Sequence, residues 1–326
     1  MHPAFSVIFL TTLIGVGQGL FLALYTGQLY SLANLLPMQD HQTFYGIGSM
    51  LALGFLVLGL VASFFHLGRP ERAWRAMSQW RTSWLSREVI ILPLLMGLVF
   101  LYGAVHYLGW TQPLLTISAT LPVDLSLIIG ALATLVTFAL FISTGMIYAA
   151  VKFLQEWHSP LTVVNYTLLG IASGFTFAAA FSAWIGADLV AFYGTWAVIA
   201  TLAALVTRVA ALIRNRRLKP VSTLQTAIGV RHNRIEQKAQ GAMGGSFNTR
   251  EFFHGRSPAS VRAITYLFLV LVFPVPVLLL AAAYGLSSVY LPLLAFGAQY
   301  LGLLLERWHF FADARHPQNL YYQTIS

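Results

Sequence analysis

Apolar positions run through this chain in long, unbroken stretches, and the polar residues collect between them. The stretches cover roughly residues 5–35, 43–66, 85–108, 123–151, 160–183, 189–213, 262–285 and 289–308, each long enough to cross a ~30 Å hydrocarbon core as a helix. They are apolar on every face and rich in Leu, Ala and Gly, whereas membrane strands would alternate apolar and polar residues. The expected fold is an all-α integral membrane protein, a bundle of eight transmembrane helices. Residues 1–326 form one membrane domain with a polar loop at 214–261 and a polar tail at 306–326. The first stretch lacks a basic leader and a small-residue cleavage site, so it is expected to remain as a helix.

Charge adds orientation. Numbered alternately, the N-terminus and the connections 66–87, 152–159, 214–261 and 306–326 fall on one side, and all 19 Lys and Arg residues lie there or within about two turns of it. The other side, at 36–42, 109–122, 184–188 and 286–288, has only Asp40, Asp124 and Asp188 on or beside it. An excess of Lys and Arg marks cytoplasmic loops, so both termini are expected in the cytoplasm of a bacterial inner membrane protein. The basic pI of 9.9 is then a topology signal, and no nucleic-acid partner is implied. Mean hydropathy of +0.73 agrees with a membrane solvent.

The chain has no cysteine, which removes disulfides, thiolate zinc sites and iron–sulfur ligation from it. Phosphate-loop, dinucleotide and H-E-x-x-H motifs are also absent, so no independent active site is expected. The deep polar residues are neutral, among them Gln18, Gln28, Asn165 and Gln299. Ion-coupled transport normally uses an ionisable group near mid-membrane, so a stand-alone transporter is the weaker alternative. A haem-b anchor is a second alternative: it would need facing histidines, and His66, His106 and His309 sit at stretch ends. No haem and no metal are expected.

The segment "FFHLGRPERAWRAMSQWRTSWLSRE" at 64–88 holds five arginines in a chain that is 9% charged. Arg69, Arg72 and Arg75 recur at a spacing of three beside Trp74, Trp80 and Trp84, which predicts a short interfacial helix. His66 closes the second span and Glu88 opens the third. Quinone chemistry needs proton-exchanging groups beside an apolar slot, and a histidine with a partly desolvated glutamate suits it. The competing reading makes these two residues helix-end groups and the arginines contacts to membrane lipid phosphates.

"HLGRPERAWRAM" and "SWLSRE" resemble the H-L-G-x-P-x-R-A and S-x-E signature of the dimethyl sulfoxide reductase anchor subunits, and the cysteine-free eight-span layout is similar over nearly the whole chain. The resemblance implies a three-part enzyme. In it, a molybdopterin catalytic subunit and a ferredoxin-like iron–sulfur subunit hold their own cofactors, and the anchor handles ubiquinone or menaquinone without haem. By position, it implies quinone contact at His66 and Glu88, with Gly68, Arg72 and Ser86 in the matched signature. The stretches 143–162, 229–255 and 306–323 are similar to the sulfite-oxidising branch of the family, which implies oxidation of sulfite to sulfate. Anchors of dimethyl sulfoxide, thiosulfate or polysulfide reductases are the alternative within the family.

Tyr148 and Lys152 lie one turn apart where the fourth span reaches the basic side, so Tyr148 is a further candidate for the quinone entrance. The loop 214–261 carries nine Lys or Arg against Glu236 and Glu251 and suits docking of an iron–sulfur partner better than a bare topology signal. Candidate docking residues are Arg69, Arg75, Arg231, Arg234, Arg250 and Arg307. Gly15, Gly17 and Gly19 around Gln18 predict close helix packing.

Overall fold

The computed structural model describes residues 1–118, 121–185, 187–236, 238 and 251–321. Its helices are α1 (Phe5–Leu32), α2 (Ile47–Phe64), α3 (Trp84–Tyr107), α4 (Leu125–Ala149), α5 (Pro160–Ile185), α6 (Val190–Arg216), α7 (Leu224–Ile228), α8 (Pro258–Val272), α9 (Pro274–Leu286) and α10 (Tyr290–Asp313). Among the described residues, seven spans are long and apolar enough to cross a membrane: α1, His41–Phe64, α3, α4, α5, α6, and α8 with α9 taken as one unit over Pro258–Leu286. The eighth expected span corresponds to α10. Its 24 residues have crossing length, but it carries Glu306, Arg307 and Asp313 toward its end.

Side-chain caps mark the starts. The Ser83 hydroxyl accepts from the Ser86 N–H at α3, Asp124 accepts from the Leu127 N–H at α4, and Ser257 accepts from the Ser260 N–H at α8. Pro274, at the first position of α9, has no N–H to continue the α8 ladder and splits that span at Phe273.

α1 and α5 form the centre: 72% of each apolar window is buried inside the protein, against 28–39% for the other five spans. Glycine makes this crossing possible. A Cβ on Gly19 would collide with the Gly170 backbone, and one on Gly174 with the Gly19–Leu20 peptide, so the two backbones touch. Gly17 instead faces α2, where a Cβ would stand 2.9 Å from the Ala52 carbonyl oxygen. The three glycines read as packing residues therefore serve two different neighbours.

Three features differ from the sequence expectation. The connection after α3 contains an antiparallel hairpin, β1 (Pro113–Ser118) and β2 (Leu121–Asp124), with Leu115 opposite Val123, so the fold is not purely helical. β-branched Thr116, Ile117 and Val123 favour strand once the chain leaves the apolar core. The interfacial helix exists over Pro70–Gln79 as a 3₁₀ helix with no buried residue. α10 continues to Asp313, five residues past the expected end, and carries charge into the packed interior.

Candidate functional site

Glu88 lies in the second turn of α3, where its apolar face meets α4. Its side chain is buried, and the Thr144 hydroxyl of α4 donates to Glu88 Oε1 at 2.5 Å. Ser86, also buried, lies beside the Ser83 cap. One turn beyond Thr144, Tyr148 stacks on Tyr166 of α5, with ring centroids 5.5 Å apart and planes within 18°. Glu88, Ser86 and Tyr148 are thus drawn toward the α3–α4–α5 seam at the arginine-rich end of the bundle.

His66 does not join them by contact. It sits two residues past α2 with an exposed side chain, and partial burial still holds its imidazole below the ordinary histidine value. Gly68 is exposed, with nothing within 4 Å of a would-be Cβ. Arg72 is a half-exposed neighbour of Glu71 at 3.8 Å. Arg69 and Arg75 are exposed, with Arg75 lying over the Trp74 ring at 5.6 Å. This stretch presents arginine and tryptophan outward, while Glu88 turns inward.

The docking candidates divide. Arg231 and Arg234 are exposed in the long loop, where Arg234 pairs with Glu236 at 2.5 Å. Arg250 lies outside the described residues. Arg307 is buried, contrary to expectation: its Nε donates to Glu306 Oε2 at 2.5 Å and its guanidinium lies 3.9 Å from the Tyr166 ring. A cation at that depth needs a counter-charge, so α10 turns Arg307 inward to Glu306 and cannot offer it to a partner.

Glu306 is 0% exposed and meets a second cation, Arg208 of α6, at 2.7 Å. His309 Nδ1 stands 3.4 Å from Arg208 Nη2. Beside this cluster is a cleft lined by Glu156, Asn165, Tyr166, Arg214, Arg307 and Asp313, among others. Tyr166 and Arg307 also wall a second hollow, which reaches Thr11, Thr12 and Ser173 between α1, α5 and α10.

The opposite end of the bundle holds a separate polar group. Tyr102 donates to Gln28 Oε1 at 2.8 Å, Gln28 Nε2 donates to Ser126 Oγ at 2.6 Å, and Ser126 donates to Asp124 at 2.7 Å. His41 and His106 meet there through their Nδ1 atoms at 2.9 Å.

The sequence model of the DMSO reductase anchor subunit (DmsC) family matches residues 1–310. The chain belongs to that family. It is also 64% identical over 326 residues, the full length of both chains, to a sulfite dehydrogenase subunit of Allochromatium vinosum. It is thus a membrane anchor subunit of an oxidoreductase.

In this anchor subunit, several buried residues escaped the sequence reading. Thr144 and Tyr166 are of residue types common in membrane helices and gave no signal. Arg208 and Glu306 did: an ionised group inside an apolar stretch requires a partner, and one of each sign lay in separate stretches of the same side. His41 and His106 were placed in a loop and at a stretch end, and their approach depends on how α3 packs on the start of the second span.

Proposed function

We propose that this chain is the quinone-reactive anchor of a three-subunit molybdenum oxidoreductase, passing electrons between an iron–sulfur partner and the quinone pool during oxidation of sulfite to sulfate. The observation that carries the quinone reading is the Glu88 carboxyl, buried at the arginine-rich end of α3 and held by Thr144. The full-length identity to a sulfite dehydrogenase subunit supports the choice of sulfite.

A quinone supplies a two-electron, two-proton couple at the membrane surface. The residues present fit one: the carboxyl of Glu88 and the hydroxyl of Tyr148 are hydrogen-bonding groups, and exposed Phe64, Phe65 and Leu85 lie at the same end for an isoprenoid tail. Thr144 occupies one carboxyl oxygen and so orients Glu88 for proton exchange through the other. His66, at the mouth of this end, is the group we assign to proton exchange with water.

The positive-inside rule supports a bacterial inner membrane chain of eight spans, α10 included, with catalytic partners on the cytoplasmic side. Exposed Arg69, Arg75, Arg231 and Arg234 then form the docking face, with Arg250 beside them in sequence. With the quinone on the same side as the partners, no proton pumping is expected from this chain.

The test is purification of the tagged chain in mild detergent, with molybdenum and iron quantified and sulfite compared with other donors. Glu88→Gln and His66→Ala are each expected to abolish quinone-linked turnover and leave dye-linked turnover intact. Equal quinone-linked rates in parent and Glu88→Gln refute the quinone site, and a lone chain without metals refutes the anchor role. Removing 235–248 is expected to release the iron–sulfur partner from washed membranes; full retention refutes docking there.

A further inference from the structure

A carboxyl that exchanges protons from a buried position needs a supply. Glu88 is only 8% exposed, and its one hydroxyl partner, Thr144, lies in the packed seam between α3 and α4. Thr144 and Tyr148 are four residues apart, on one face of α4. Tyr148 stacks on Tyr166 across the α4–α5 seam, and Tyr166 lines the cleft that opens among Glu156, Arg214 and Asp313 at the ends of the helices. The recorded contacts thus link Glu88 to Thr144 on one side and Tyr148 to Tyr166 on the other, with Thr144 and Tyr148 one turn apart on α4 and Tyr166 at the cleft.

The Tyr166 hydroxyl is the odd member. Tyr166 is 7% exposed, yet its oxygen has no well-formed hydrogen bond within the protein. A buried phenol is normally paired, and leaving one unpaired costs about 1–3 kcal/mol. The Arg307 guanidinium and the Tyr148 hydroxyl are the polar neighbours of this oxygen, close enough to interact but not aligned into a full hydrogen bond; the ring itself meets Arg307 at 3.9 Å, Tyr148 and Phe310. Both hollows bounded by Tyr166 have polar walls, Asn165 and Arg214 in one, Thr12 and Ser173 in the other. Water ordered on the hydroxyl would satisfy it and would complete a chain from the cleft.

We propose that Tyr166, with Tyr148, relays protons from water in this cleft to Glu88. The inference rests on the quinone reading of Glu88. Each phenol oxygen gives its proton to the next oxygen along the line and takes another from the cleft side, so the relay itself is unchanged. The two protons consumed per quinone come from water, and the two electrons come from the iron–sulfur partner. The path stays at the arginine-rich end and moves no charge across the bundle.

Tyr166→Phe in the intact complex is the test, read as quinone-linked and dye-linked turnover in light and heavy water. The quinone-linked rate is expected to fall roughly tenfold, less than loss of a whole general acid because water bridges part of the gap. The solvent isotope effect should rise, dye-linked turnover should hold, and added ammonium, a small diffusible acid, should restore part of the rate. Tyr148→Phe is expected to behave alike; because its hydroxyl is also assigned to the quinone, the raised isotope effect and the rescue by ammonium, and not the rate alone, decide the matter there if Tyr166→Phe fails to assemble, and their absence overturns the relay. Parental rate and isotope effect in the phenylalanine variants, beside an inactive Glu88→Gln, overturn the relay and leave the quinone site standing. A fully active Glu88→Gln overturns both.

Discussion

Replacing Glu306 by Gln tests the buried charge cluster most directly. Two guanidiniums share this carboxylate, Arg208 Nε at 2.7 Å from Oε1 and Arg307 Nε at 2.5 Å from Oε2. Glu306 is fully buried and both arginine side chains are 5% exposed, so little water is available to take over. The amide removes the one negative charge between two cations and preserves the shape. Breaking a buried pair costs about 3–5 kcal/mol. Aromatic faces remain for both cations, Tyr166 at 3.9 Å from Arg307 and Phe268 at 5.4 Å from Arg208, so neither is left without an attractive neighbour. The expected net loss is therefore about 3 kcal/mol, at the lower end of the range. Reversible unfolding of the purified chain by sodium dodecyl sulfate in mixed micelles, followed by tryptophan fluorescence, measures it. Adding Arg208→Met to the variant removes one orphaned cation and should recover part of the loss. A Glu306→Gln chain within about 1 kcal/mol of the parent, or a loss that Arg208→Met leaves untouched, refutes the charge reasoning.

Three further outcomes are expected. Gly174→Val drives a side chain into the Gly19–Leu20 backbone and should lower the yield of monodisperse protein, with an overpacking cost of about 3 kcal/mol or more, whereas Gly97→Ala, with nothing within 4 Å, should not; equal size-exclusion profiles refute the contact. Thr144→Val keeps the volume and removes the donor to Glu88, so quinone-linked turnover should drop roughly tenfold, as expected for about 1.5 kcal/mol of a buried hydrogen bond, with dye-linked turnover unchanged. His66 has a depressed folded-state value, so the unfolded chain takes up the proton first: its contribution to stability is full above pH 6.5 and is lost as pH falls from there through the folded value. Modification of His66 by diethyl pyrocarbonate, mapped by peptide mass spectrometry, should therefore be half-maximal below pH 6.5, and a midpoint at or above 6.5 contradicts the burial.

Glu88 was readable as a candidate because a carboxylate opening an apolar stretch is conspicuous, and the structure does bury it. His66 was equally conspicuous, but α2 ends before it and leaves the imidazole exposed. Arg307 was read as surface from its place near the tail, and the rotation of α10 about its axis turned it inward instead. A helix rotation of one residue, about 100°, separates docking from burial, and it is selected by the helices packed on α10, namely α5, α8 and α9, together with Arg208 of α6.

The sequence alone determined the helices, their approximate limits and the side on which the arginines gather. Backbone groups in hydrocarbon must pair within their own segment, and Lys and Arg avoid it, so both properties are written locally in each stretch. Everything that joins one stretch to another waited for the tertiary structure. Thr144 met Glu88 from 56 positions away, and Arg208 met Glu306 across nearly a hundred residues. Apolar runs that look alike do not encode which faces touch. That choice came from the backbone contact of α1 with α5 at Gly19 and Gly174, and from the need of each buried charge for a partner.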